Sequence, residues 1–85
     1  MREPTDQEIL DILQEECAEV IQVISKARRF GMTKSRVIEL RQELVDVLAM
    51  AEWLQDRNVI SLTGDVHLLA KAIQAKQEKV KKYLR

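Results

Sequence analysis

An all-α fold built from about three main helices is what this sequence predicts, and two observations carry it. Helix-breaking residues are confined to Pro4, Gly31 and Gly64, and the long segments between them repeat apolar residues at helical spacing. A third observation concerns size. The 85 residues make one domain, and a chain this short buries only about 60% of its unfolded surface. The core of the bundle is therefore expected to be completed by oligomerisation, as a dimer or a tetramer.

The first helix is expected to begin at Thr5. Pro4 precedes it, and the Thr5 to Glu8 spacing is that of a capping box. It should run to Phe30, with Gly31 just past its end. The second helix should start near Thr33 or Ser35 and end around Arg57 and Asn58. A connector from Val59 to Gly64 then leads to a third helix, capped by Asp65 and continuing nearly to the C-terminus.

Charge narrows the function classes. Fourteen basic residues balance fourteen acidic ones, which leaves no net field for a nucleic-acid backbone. No glycine-turn-recognition-helix pattern is present, and outside the tail no helix carries a consistent basic face. The charges are nonetheless polarised along the chain. Glu3, Asp6, Glu8, Asp11, Glu15, Glu16 and Glu19 face Arg2 alone in the first 25 residues, whereas six basic residues oppose only Glu78 between Lys71 and Arg85. Cys17 and His67 are each the sole residue of their type, which excludes an intrachain disulfide and a Cys/His zinc site. No leader-like apolar segment and no run near the roughly 20 residues of a membrane span is present. A cytoplasmic protein is expected.

The acids of the first two helices carry the chemistry. At about 100° per residue, Glu16 falls inside the apolar arc of the first helix, Glu19 on its edge and Glu15 just beyond. On the second helix apolar residues cover more than half the circumference, as in a helix buried within a bundle. The remaining strip holds Glu39, Glu43, Asp46, Met50 and Trp53. Glu16/Glu19 and Glu43/Asp46 are both i,i+3 pairs, so two antiparallel helices can bring them together. Unpaired carboxylates in an apolar setting raise one another's pKa values unless cations neutralise them. Oxygen-only ligation favours Mg²⁺, with Mn²⁺ as a substitute.

Glu15-Glu16-Cys17-Ala18-Glu19, followed after twenty-three residues by Glu43-Leu44-Val45-Asp46, resembles the EExxE…ExxD signature of the MazG-like all-α nucleoside triphosphate pyrophosphohydrolases. The stretch closing in Arg29-Phe30-Gly31 resembles the end of the first motif helix in short members of that group. The resemblance implies a single MazG-like domain over residues 1–85. It further implies hydrolysis of a (deoxy)nucleoside triphosphate between the α- and β-phosphates, giving a monophosphate and pyrophosphate. Glu16, Glu19, Glu43 and Asp46 would then be metal ligands, and Glu15 the general base or the holder of a further ion. It also implies that the pocket is completed at subunit contacts, so that third-helix lysines act on a neighbouring chain's substrate. Members of the group often carry Lys-x-x-Lys-Asn on that helix. This chain reads Lys76-Gln77-Glu78-Lys79-Val80, with valine in the asparagine position.

Lys26 lies two turns beyond Glu19 on nearly the same side, placed to meet a phosphate tail, and Lys76 and Lys79 flank the apolar stripe of the third helix. Each has an alternative reading as a snorkelling surface lysine. Met50 and Trp53 are either core-packing residues or contacts for a nucleotide base. A di-iron carboxylate bundle would require Glu-x-x-His pairs, and there are none. A non-enzymatic helical dimerisation or adaptor module would use the same apolar stripes and leave the inward Glu16 without a role.

Overall fold

The computed structural model describes residues 2–62 and 66–84, with the side chains of Val66 and His67 outside the described set. It is all-helical over those residues: α1 spans Asp6–Phe30, α2 Lys34–Asp56 and α3 Val66–Tyr83. The expected cap of the third helix, Asp65, lies outside the described residues, as does Gly64. No helix of the described chain is long and apolar enough to cross a membrane.

The start of α1 follows from its first residues. Thr5 is the N-cap in extended conformation, and its Oγ1 accepts from the Glu8 backbone N–H at 3.1 Å. The Glu8 carboxylate returns the bond, accepting from the Thr5 N–H at 2.9 Å. Arg2 grips the same carboxylate with both terminal nitrogens, at 2.6 and 2.7 Å. The Arg2 guanidinium and the Thr5 N–H together hold the Glu8 pKa down, to about 2. A depressed folded-state pKa favours the fold above the ordinary value of 4.5, and that contribution fades as pH drops towards 2. Thr5→Ala is expected to destabilise the fold by about 1 kcal/mol, measured by urea denaturation at fixed protein concentration. An unchanged midpoint would mean that the cap contributes nothing.

Gly31 ends α1 at φ +95°, where an L side chain would be strained, and its N–H donates to Ala27 O at 2.8 Å. Thr33 then caps α2, accepting from the Arg36 N–H at 3.3 Å. So tight a connection makes α1 and α2 an antiparallel hairpin. Arg36 seals it by donating to Gly31 O at 2.9 Å, while Arg29 and Arg36 hold their guanidiniums 5.6 and 5.5 Å from the Phe30 ring centre. At the open end Arg57 donates to Pro4 O at 2.7 Å and pairs with Asp6 at 3.2 Å. Asn58, at φ 61°, takes the left-handed position that closes α2, with Val59 N–H bonded to Leu54 O at 2.9 Å.

The seam of the hairpin is a single row on each helix. Ile9, Val23 and Leu54 are buried, and Leu13, Glu16, Val20, Ala27, Leu40, Glu43, Val47 and Met50 are half-buried. Here the structure departs from two expectations. Helix α2 is not enclosed: Val37, Ile38, Leu44, Val45 and Leu48 are exposed, because among the described residues only α1 packs along it and one neighbour covers one stripe. Cys17, on the α1 arc that α2 does not cover, is exposed for the same reason. Among the described residues α3 does not pack along the hairpin. Its beginning approaches α2, where Leu69 joins Leu62 and the α2 residues Leu48, Ala51, Glu52, Gln55 and Asp56 around a cleft of about 370 Å³.

Candidate metal centre

Midway along the hairpin, Glu16 and Glu19 from α1 and Glu43 from α2 converge. One carboxylate oxygen from each lies within 4.8 Å of the others. The cause is local: i,i+3 spacing sets Glu16 and Glu19 on one side of a single turn, and the antiparallel seam places Glu43 opposite them. Glu16 and Glu43 are half-buried, Glu19 exposed.

The electrostatics of this arrangement are unfavourable without a cation. One oxygen of Glu16 and one of Glu43, both Oε2, are buried with no hydrogen-bond partner. Desolvation, reinforced by the charges of Glu19 and Asp46, pushes the Glu16 pKa up. A hydrogen bond shared with Glu19 pushes Glu43 up to about 7, with desolvation and the charges of Glu19, Asp46 and Glu16 acting the same way. Two orphaned acceptor oxygens in a cluster with a third carboxylate make an all-oxygen donor set, the kind that hard divalent cations take. Among the described residues nothing hydrogen-bonds to either of these two Oε2 atoms. The three carboxylates form a group that could hold a metal ion.

The remaining expected residues fall at different distances from this core. Asp46 is exposed and outside the converging trio, yet its charge acts on both Glu16 and Glu43. Glu15 is exposed, one turn before Glu19. Lys26 is exposed two turns after Glu19 on the same edge of α1. Met50 and Trp53 are half-buried on the edge of α2 that carries Asp46. Lys76 and Lys79, by contrast, line a shallow pocket of about 240 Å³ with Val80 and Tyr83 on α3. Among the described residues no ion pair joins α3 to the hairpin, and the fold of one chain does not bring these lysines to the acids.

Arg57 was not singled out by sequence reasoning. It fastens the two hairpin ends and so fixes the register that sets Glu43 against Glu16. Its partners lie more than fifty residues away, and no local pattern announces such a contact.

Comparison of the chain with models of known families, with curated proteins and with solved structures finds no match.

Proposed function

We propose that this chain is a MazG-like nucleoside triphosphate pyrophosphohydrolase, cleaving between the α- and β-phosphates to release a monophosphate and pyrophosphate. The observation that carries the reading is the pair of orphaned oxygens on Glu16 and Glu43 beside Glu19. A structural surface has no use for them, and the EExxE…ExxD spacing supplies these same residues. The adaptor alternative leaves that buried charge unexplained.

Glu16, Glu19 and Glu43 would hold the metal, with Asp46 as a further ligand at its edge. Bound there, Mg²⁺ would offset the charge of the phosphates and favour ionisation of the attacking water. The residues of the chain do the rest. Glu15, exposed one turn before Glu19 on α1, accepts the proton of that water as general base. Lys26, on the same edge of α1, steers the outer phosphates away from the carboxylates. Met50 and Trp53 offer an apolar, aromatic surface next to Asp46 against which a base can stack.

Lys76 and Lys79 complete the phosphate site from another copy of the chain, since their own hairpin does not receive α3. Mixing Glu43→Ala chains with Lys76→Ala chains is expected to restore pyrophosphate release in the mixed oligomer to about a quarter to a half of the wild-type level, the share set by subunit statistics. Activity that stays absent would place these lysines outside the site.

The direct test is a product assay over the canonical nucleoside triphosphates, with Mg²⁺ and with Mn²⁺. Pyrophosphate and a nucleoside monophosphate are expected together. Orthophosphate released from the γ-position, or no turnover of any nucleotide, would sink the proposal.

A further inference from the structure

The turn that joins α1 to α2 carries charge of one sign. From Val20 to Ile38 the chain has Lys26, Arg28, Arg29, Lys34 and Arg36 and no acid, and among the described residues none of these five forms an ion pair. The opposite end of the hairpin is acidic. There Glu3, Asp6, Glu8, Asp11, Glu52 and Asp56 stand against Arg2 and Arg57, and both of those cations are already paired, with Glu8 and with Asp6. The hairpin is therefore a rod with a positive tip and a negative base, which an anionic surface turns tip-first.

The tip also presents apolar groups that the fold does not use. Phe30 is 65% and Met32 53% exposed, outside the seam between the two helices. Phe30 is nonetheless held. Arg36 donates to Gly31 O at 2.9 Å and sets its guanidinium 5.5 Å from the centre of the Phe30 ring, with that of Arg29 at 5.6 Å. The Gly31 N–H, bonded to Ala27 O, and the Thr33 cap fix the backbone on either side of Met32. The result is an apolar wedge at a convex turn, ringed by cations.

That combination selects among polyanions. A nucleic-acid strand brings bases that stack on an aromatic face, but two guanidiniums already lie over the Phe30 ring, and Met32 has no donor for a base edge. An acidic peptide would pair with the cations and leave both apolar side chains in water. A membrane surface uses both features: lipid phosphates meet the cations, and the boundary beneath the headgroups takes up the apolar side chains.

We propose that the α1–α2 turn docks on an anionic lipid surface, with Phe30 and Met32 entering the boundary between headgroups and acyl chains and Arg28, Arg29, Lys34 and Arg36 lying among the lipid phosphates. The hairpin then stands away from the surface. Glu19 lies eleven residues before Phe30, about 16 Å along α1 and beyond the Debye length of about 8 Å at physiological ionic strength, so the lipid charges do not repel the acid cluster. The inference does not rest on the catalytic reading, because none of the docking residues belongs to the proposed site. Nucleotide hydrolysis can be absent while the docking holds, and the docking can fail while hydrolysis persists.

Co-sedimentation of the chain with phosphatidylcholine vesicles, prepared with and without phosphatidylglycerol, tests it. Binding is expected only where phosphatidylglycerol is present, and it should weaken as salt is added. Arg28→Gln and Lys34→Gln are each expected to weaken it about fivefold, and Phe30→Gln combined with Met32→Gln about tenfold. Lys34→Gln removes a positive charge from the first turn of α2, where it opposes the helix dipole, so that variant keeps its fold, and circular dichroism checks the helix content of the others. Lys81→Gln combined with Lys82→Gln, on α3, is the control and should bind nearly as well as the wild type. No binding to phosphatidylglycerol vesicles, equal binding to both kinds of vesicle, or binding lost in the α3 variant and kept in Lys34→Gln would each overturn the proposal. Full binding by the Phe30 and Met32 variant would overturn it too and assign the tip to a soluble polyanion, with oligothymidylate and polyglutamate as competitors to tell a nucleic acid from an acidic protein.

Discussion

Glu16→Gln lowers pyrophosphate release by on the order of 10²–10³-fold, the scale on which a single charge-stabilising group acts in a water-poor site. Gln keeps the shape of Glu and removes its charge, so the hairpin seam stays filled. The loss therefore reports chemistry and not collapse. Glu15→Gln separates the two roles assigned to the acids. It is expected to lower kcat while leaving the response of the fold to divalent ions unchanged, because Glu15 lies outside the converging trio. Glu16→Gln should diminish both. Steady-state kinetics alongside thermal melts with and without Mg²⁺ make the comparison, and full activity in Glu16→Gln would end the proposed mechanism.

The second large effect is on stability. At a divalent-ion concentration about 100 times its Kd, binding to the folded state alone is worth about 2.7 kcal/mol, which for a domain of this size corresponds to roughly 10–20 °C in Tm. Without the ion, the direction of the pH dependence follows from Glu43. Its folded-state pKa is pushed up to about 7 from an ordinary 4.5, so between those values the folded chain keeps a proton that the unfolded chain has released. Stability of the metal-free protein therefore falls as pH rises from about 4.5 through 7. Glu16, shifted upward as well, adds to the same trend. Mg²⁺ should oppose it, with a large gain in Tm at pH 8 and a small one at pH 5, where protons compete for the same oxygens. Melting curves at constant protein concentration, with EDTA as the reversal, read this directly. A metal-free protein that becomes more stable between pH 5 and 7.5, or a Tm indifferent to Mg²⁺, would show that the carboxylates do not form the site described.

Much of this was legible in residue order because it is local. The Thr5/Glu8 box, the Gly31 turn and the Thr33 cap each involve groups within a few residues of one another, and each is where spacing put it. The inward set of Glu16 and its convergence with Glu43 were likewise readable, since a helix of fixed pitch converts spacing into direction. The relative standing of the acids was not. Spacing treats Glu43 and Asp46 alike, whereas the structure leaves Asp46 exposed and strands an oxygen of Glu43. That difference depends on the rotation of α2 against α1, which the seam and the Arg57 clasp set.

The sequence by itself determined the three helices, the ends of the first two to within a residue or two, and the family of carboxylates that share a face, because hydrogen bonding within a helix depends on neighbours in the chain. Only the tertiary structure decided which carboxylates lose their water, that Arg57 closes the hairpin, and that α3 stays off it while the apolar backs of α1 and α2 remain open. Those outcomes depend on which surfaces meet, and apolar attraction has no direction. A pattern of apolar residues says that a face must be covered. It takes the packed chain to show which faces still are not.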